Sequence, residues 1–327
     1  MERLPNVAKN ITTFDKVTSI ARLTEDAPQF FSVVQNWYDV LIFYFGGCKN
    51  QFTLKFRSGY ETKITKLNDL LTIFEHGEVQ KDLIKSLKVP IKIGKNRVTF
   101  NCGGRYINFY YKKEEQLLGA ISAIKSTFLK NEYGWLEVNN KVVLDIGAHI
   151  GDTGIYFALK DAYHVYCFEP YPYSYRLAKR NIGLNNLKEK ITVYNEACGG
   201  RNGNIILDPK YSSTGGSNLK NFERGTRIKI ETLDNIVKKL ELRDAVLKLD
   251  CEGYEYGIIL KSKNKTLRSF ESIILEYHYG YLNLQKRLRA AGFKVWHNGP
   301  RKSINCYAKR FKMTNGLMFA ERLPMMS

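Results

Sequence analysis

From Lys141 onward, short apolar runs alternate with amphipathic stretches in a repeating order. Val142-Val143-Leu144-Asp145-Ile146 is a compact run of the kind that fits a strand buried on both faces. A glycine-bearing turn follows it. The pattern then predicts a helix from about Asp152 to Leu159, a strand at His164–Phe168, a helix from about Tyr173 to Leu184 and a strand at Ile191–Tyr194. Ala245–Leu249, Ser272–Leu275, Phe293–Trp296 and Gly316–Phe319 are further strand candidates. Helices near Thr232–Leu240, Tyr254–Leu260 and Leu282–Ala291 separate several of them. Strands and helices in alternation imply an α/β fold, a mostly parallel sheet covered on both faces. In such sheets a ligand sits beyond the carboxyl ends of the strands, where the strand order reverses.

Before Lys141 the pattern is different. Residues 1–28 are irregular or weakly helical. Phe30–Cys48 is apolar and aromatic, with Phe31, Val34, Tyr38, Ile42 and Phe45 at helical spacing. Gln35, Asn36 and Asp39 in its middle argue against a membrane span, because an intramembrane carboxylate is costly. A buried or partner-facing helix is expected instead. Gln51–Arg57, Tyr60–Ile64, Pro90–Ile93, Arg97–Asn101 and Tyr106–Tyr111 read as strands; Leu67–His76, Val79–Leu87 and Lys112–Leu129 read as helices. The expected organisation is an α+β extension of unreadable role over residues 1–137 and a catalytic domain over 138–327.

Composition adds compartment and partners. The opening residues carry early charges and no apolar run, so they do not read as a secretory signal. Cys48, Cys102, Cys167, Cys198, Cys251 and Cys306 form no CxxC pair and no zinc spacing, which suits reduced thiols in a cytoplasmic protein. The net charge is +19, from 51 basic and 32 acidic residues. No carboxylate lies between Glu276 and Glu321, a stretch holding Lys286, Arg287, Arg289, Lys294, Arg301, Lys302, Lys309, Arg310 and Lys312. Such a region suits phosphate, nucleic acid or an acidic sugar, or is simply a solvated basic face.

The chemistry-bearing motifs fall at the predicted strand ends. Asp145-Ile146-Gly147-Ala148-His149-Ile150-Gly151-Asp152 marks the first strand-to-helix turn. Its glycines permit close approach to a ligand, and amides at the helix start suit a carboxylate. The spacing is not the GxGxxG of nicotinamide dinucleotide sites. Glu169-Pro170 ends the second strand, about twenty residues on, where an acid accepts from both hydroxyls of a ribose. Asn195-Glu196-Ala197 follows the third strand and could meet an adenine edge. Asp250-Cys251-Glu252 ends the fourth strand, and Glu276-Tyr277-His278 the fifth. A glycine loop for a carboxylate, an acid for a ribose and acids at the fourth strand together suit S-adenosylmethionine.

At this point the sequence resembles the FkbM family of methyltransferases. VLDIGAHIGDT, CFEP, KRNIGLNN, ETLDNI, LKLDCEGYE and IILEYH occur in that family's order over roughly residues 138–280. His149 is a departure, since such loops more often carry Asn. The resemblance implies a Rossmann-like class I methyltransferase fold with a seven-stranded sheet. It also implies methyl transfer from S-adenosylmethionine to a hydroxyl of a sugar, lipid headgroup or small metabolite. Asp145, Gly147, His149, Gly151, Glu169, Pro170, Asn195, Glu196, Ala197 and Asp250 are the expected cofactor contacts. The stretch Tyr211–Asn218 is an acceptor-side loop in resembling proteins.

An alcohol nucleophile benefits from a base. Asp250, Glu252 and His278 are the candidates, with His278 as base or orienter because its ordinary pKa lies nearest neutrality. Asp250, Glu252, Glu276 and His278 form an oxygen-rich set that a metal would accept. Methyl transfer needs no metal, and none is expected. Two other readings compete. An RNA methyltransferase would use the basic C-terminal surface, although KLDCEG stands where base methylating enzymes often carry an NPPY-like motif. A non-catalytic S-adenosylmethionine-binding protein would need no acids at the fourth and fifth strand ends.

Overall fold

The computed structural model describes residues 34–44, 51–57, 59–65, 91–112, 114–208, 222–299, 301–304 and 312–324. The expected helices at Leu67–His76 and Val79–Leu87 and the Tyr211–Asn218 loop lie outside them. The chain divides into two compact units, residues 1–106 with 111–121, and residues 107–110 with 122–327.

In the first unit, α1 (Trp37–Tyr44) is helical among the described residues of the apolar Phe30–Cys48 stretch, and Val34 bridges Phe56. Strand β1 (Phe52–Lys55) pairs antiparallel with β2 (Glu61–Ile64), setting Phe52 opposite Ile64. Phe52 and Leu54 are buried while Thr53 and Lys55 face outward, the two-residue alternation of a one-sided strand. β3 (Ile91–Ile93) pairs antiparallel with β4 (Arg97–Cys102). β5 (Arg105–Tyr110) and α2 (Glu114–Ala123) carry the chain across the division. Among the described residues, no helix is long and apolar enough to cross a membrane.

The second unit begins where the expected Lys112–Leu129 helix widens into a π-helical turn over Ile124–Leu129. Then come β6 (Val142–Ile146), α3 (Asp152–Leu159), β7 (His164–Phe168), α4 (Pro172–Leu184) and β8 (Ile191–Tyr194). β9 (Ala197–Gly199), β10 (Gly203–Leu207) and β11 (Thr226–Thr232) form a small separate sheet in the order β10-β11-β9. α5 (Leu233–Lys239), β12 (Ala245–Leu249), α6 (Glu255–Lys261), α7 (Asn264–Leu267), β13 (Phe270–Tyr277), α8 (Leu282–Ala290), β14 (Phe293–His297), β15 (Arg301–Ile304) and β16 (Lys312–Arg322) complete it.

The main sheet has the order β14-β16-β13-β12-β6-β7-β8. β8, β7, β6, β12 and β13 are mutually parallel, and β16 lies antiparallel between β13 and β14. This is the Rossmann-like class I methyltransferase sheet the sequence implied. β15, paired along the first residues of β16, adds an eighth strand that the hydrophobic pattern did not reveal. β13 and β16 also run beyond the predicted Ser272–Leu275 and Gly316–Phe319, because their ladders continue through half-buried polar residues.

Central position explains the composition of β12. All five residues of Ala-Val-Leu-Lys-Leu are buried, since the strand has neighbours on both edges and packed layers on both faces. α3 is buried along nearly its whole length, and α4 opens on Pro172, whose missing N–H costs nothing in a first helical turn. The strand order reverses at β6. β7 and β8 extend the sheet to one side of it, β12 and β13 to the other. The loops after β6 and β12 therefore face each other across the crevice where ligands bind in such sheets.

Leu247, fully buried in β12, gives a direct test of this core. Leu247→Ala is expected to lower the unfolding free energy by about 2–5 kcal/mol in urea denaturation. A loss below roughly 1 kcal/mol would contradict burial on both faces.

Candidate active site

The site grows from a buried ion pair. Lys248, in the middle of an otherwise apolar strand, points to the same face as Asp145 on the neighbouring strand, its register partner. Their charged atoms lie 3.0 Å apart, and both residues are almost fully buried. Lys248 Nζ also donates to the Gly147 carbonyl at 2.8 Å. Burial alone would lower the Lys248 pKa, but Asp145 and Asp250 together raise it, so the side chain stays cationic. Asp145 also accepts from Thr153 Oγ1. One buried lysine thus ties β6 to β12 and fixes the start of the glycine loop.

The loop itself is held from three sides. The Gly147 and Ala148 amides donate to the Phe168 carbonyl, and the Asp250 amide donates to the Ile146 carbonyl. Gly147 has φ 82°, and a Cβ there would stand 1.8 Å from the Asp250 carbonyl oxygen. Its need for glycine is set by the neighbouring loop after β12. Gly151, φ 83°, starts α3, where a Cβ would come within 3.1 Å of the Ala178 backbone on α4. His149 between them is also left-handed, φ 46°. Asp152 in the first turn of α3 is engaged by Thr127 Oγ1 at 2.7 Å.

Glu169 closes the crevice. One carboxylate oxygen accepts from the His149 amide and the other from the Tyr171 amide, each at 2.8 Å. Burial pushes its carboxyl up to about 8, against the lowering effect of those two hydrogen bonds. A cleft of about 150 Å³ opens beside it. Gly147 and His149, Phe168 to Tyr171, Ala197 and Cys198, and Asp250 to Glu252 form most of its wall.

A second cluster stands at the ends of β12 and β13. His278 Nε2 lies 3.2 Å from Glu252 and Nδ1 3.1 Å from Glu255. Glu255 also accepts from the Cys251 and Gly253 amides, so the turn after β12 wraps round this carboxylate. Burial would lower the His278 pKa, but the two carboxylates overcome it and push it up to about 12. Asp250 is raised to about 6, chiefly by burial and then by Glu252 and Glu255, while Lys248 and His278 hold it down. Glu276 is raised to about 8 by burial and by Asp250. Single ligand atoms of Asp250, Glu252 and His278 lie within 4.8 Å of one another, close enough to share a cation.

The structure therefore brings most of the sequence-predicted residues to one place. Gly147, His149, Glu169, Pro170, Ala197, Asp250 and Glu252 line the cleft, and His278 backs it through Glu252. Asp145, Gly151, Asn195 and Glu196 are not in its wall. Asp145 acts through Lys248. Asn195 turns its amide onto the carbonyls of Glu169 and Pro170, both at 2.9 Å, and clasps the strand end. Glu196 lies 3.6 Å from Lys239. Lys248 and Glu255 were missed as site residues. The signal for Lys248 was present: a lysine inside a buried apolar run requires a partner, and Asp145 stood in the same position of the adjacent run.

Residues 145–295 match the methyltransferase FkbM domain family. The chain carries an FkbM methyltransferase domain. No curated protein matches the chain. Among solved structures, the FkbM-domain protein is similar to M. capricolum TrmK in complex with S-adenosylhomocysteine, at 11% identity over 61% of this chain and 71% of that one, TM-score 0.38. It is similar to a precorrin-6y C5,15-methyltransferase from Geobacter metallireducens at 13% identity over 64% and 90% of the two chains, TM-score 0.33. A Thermoplasma acidophilum protein gives 13%, 63%, 88% and 0.37 in the same terms. These likenesses are too distant to bear on the chemistry, which rests on the FkbM domain and the site itself.

Two outcomes test the site's electrostatics. Lys248→Met leaves Asp145 buried and unpaired, so a loss of about 3–5 kcal/mol is expected, and adding Asp145→Leu should recover most of it. Additive losses in a denaturation cycle would contradict the pairing. His278 has a raised folded-state pKa, so its stabilising contribution is complete below its unfolded value near 6.5 and declines as pH rises toward about 12. The Tm gap between wild type and His278→Asn should be widest near about pH 6 and narrow toward about pH 10. A gap independent of pH would contradict the clamped imidazolium.

Proposed function

We propose that the FkbM-domain protein transfers a methyl group from S-adenosylmethionine to a hydroxyl of its acceptor. The observation that carries this reading is Glu169, held by two backbone amides at the lip of a cleft lined by the ends of β6, β7 and β12. Each of its oxygens keeps a lone pair for a ligand hydroxyl, and a cis-diol presents two such donors. The Gly147–His149 loop stands ready for the methionine carboxylate. Phe168, Ala197 and Cys198 supply the apolar walls that suit a purine. Cofactor sites usually measure several hundred Å³, so the occupant fills the enclosed end of the roughly 150 Å³ cleft and extends over the open strand ends.

The bound cofactor supplies an activated methyl group on a sulfonium with a neutral thioether as leaving group. The chain has two tasks left, to orient the acceptor and to take its proton. Asp250 suits the second task. It lines the cleft, and its pKa near 6 leaves it ionised yet basic enough to accept a proton at neutral pH. His278, kept cationic by Glu252 and Glu255, is unsuited to be a base. It acts as an orienter that fixes Glu252 and moderates the negative charge around Asp250.

The reading is tested by calorimetry with S-adenosylhomocysteine and by transfer of labelled methyl groups to hydroxyl acceptors. Glu169→Gln is expected to weaken S-adenosylhomocysteine binding by roughly tenfold, the usual cost of losing one hydrogen bond where an acceptor oxygen becomes an amide donor. Asp250→Asn should lower turnover by about 10²–10⁴-fold with little change in that affinity. Wild-type kcat/KM should fall as the pH drops below about 6. Unchanged affinity in the first variant and unchanged turnover in the second would overturn the assignments.

A further inference from the structure

We infer that the outer face of α6 and α8 docks the protein on an anionic lipid surface, with the aliphatic side chains of Leu260 and Leu282 entering the lipid between basic residues. The inference does not depend on the methyltransferase reading above. The two helices cover one buried cluster, α6 through Ile258 and Ile259 and α8 through Leu284 and Leu288. They are also tied at both ends. Tyr256 Oη donates to the Gly280 carbonyl at 2.6 Å and accepts from the Tyr279 amide at 2.8 Å, just ahead of α8. Arg287, in the second half of α8, donates to the Ser262 carbonyl and to Asn264 Oδ1, just past α6. The helices therefore lie side by side and parallel.

This pair leaves apolar groups in water. Leu282 is 68% exposed, Tyr279 50% and Leu260 41%. Leu260 lies one helical turn after Tyr256, whose ring meets that of Tyr279 at 5.9 Å. Leu282 opens α8 two residues after Gly280. Leu284 and Leu288 already supply the core contacts of that helix, so burial in the fold does not account for Leu282.

Around these groups the charge has one sign. Lys261, Lys263, Lys265, Lys286 and Arg289 are exposed. No carboxylate occurs in residues 256–270 or 277–320. Asp234 on α5 borders the patch and accepts from the Lys263 amide at 3.1 Å. On α8, Leu282, Lys286 and Arg289 stand at i, i+4 and i+7, a single stripe facing away from Leu284 and Leu288. Leucine and basic side chains on one helix face suit an anionic bilayer. The cations meet lipid phosphates while the leucines pass beneath them toward the acyl chains. A polynucleotide would attract the same cations but offers no hydrocarbon to Leu260 and Leu282. The face also adjoins the cleft. A Cβ on Gly253 would stand 2.6 Å from the Tyr279 ring, and Gly253 lies between the cleft residues Glu252 and Tyr254. Docking there sets that wall of the cleft beside the lipid surface.

The test is flotation of the full chain with vesicles of phosphatidylcholine alone or with about one third phosphatidylserine, with oligo(U) binding measured in parallel. Binding to the anionic vesicles only is expected, weakening as salt is raised to about 0.5 M. Lys286→Glu with Arg289→Glu should weaken it roughly tenfold or more, and Leu260→Ser with Leu282→Ser roughly tenfold. Lys188→Glu, at an exposed position between α4 and β8, should change it by less than about twofold. Tm and S-adenosylhomocysteine affinity should stay at wild-type values in all three. Absence of binding to anionic vesicles, or binding indifferent to either double variant, would overturn the inference. Loss confined to the charge variant, with oligo(U) affinity lost in the same protein, would reassign the face to a polynucleotide.

Discussion

The buried pair between Asp145 and Lys248 is the constraint on which the site depends. Two opposite charges in a dry interior persist only if their geometry and remaining hydrogen bonds are satisfied. Here the satisfaction is structural. The lysine ammonium sits 3.0 Å from an Asp145 oxygen and donates to the Gly147 carbonyl, so neutralising the pair also fixes the glycine loop. Because the two residues sit on β6 and β12, the same contact sets the two strands whose ends bound the crevice. Gly147 then lies so close to the Asp250 carbonyl that no larger residue fits. Loop position, strand register and the placement of Asp250 follow from one interaction.

From that frame the chemistry divides between two groups of acids with opposite surroundings. Glu169 is satisfied by backbone amides and holds few charged neighbours, which suits a residue that grips neutral hydroxyls. Asp250, Glu252, Glu255 and Glu276 crowd together at the ends of β12 and β13 around His278. Burial raises Asp250 toward the range useful to a base, with Glu252 and Glu255 adding to it, and Lys248 and then the imidazolium keep it from rising further. Under the proposed function, a proton acceptor and a ligand clasp are made from the same side-chain chemistry by environment alone.

Much of this was legible in the sequence because the central strands are buried on both faces. Val142–Ile146, His164–Phe168, Ile191–Tyr194 and Ala245–Leu249 appear in the structure with the bounds the apolar runs gave. The place of Glu169 and Asp250 in the cleft wall was legible because both stand at the ends of predicted strands. The small β9–β11 sheet was harder to read: Ala197–Gly199 is three small residues with no periodicity. Asn195, expected at a ligand, donates its amide nitrogen to two backbone carbonyls, since a side-chain amide near free carbonyls is captured locally. Gly147 also answers to a constraint the sequence did not show, a neighbouring backbone carbonyl. His278 was read as base or orienter, and sequence spacing does not show that Glu252 and Glu255 both reach it.

The most direct test of the account is a crystal structure with S-adenosylhomocysteine at saturating concentration. The account predicts the adenosine in the cleft beside Phe168, both ribose hydroxyls within hydrogen-bonding distance of Glu169, and the sulfur facing Asp250. Nucleoside density elsewhere on the molecule, or a Glu169 carboxylate that makes no contact with the ribose, would contradict it.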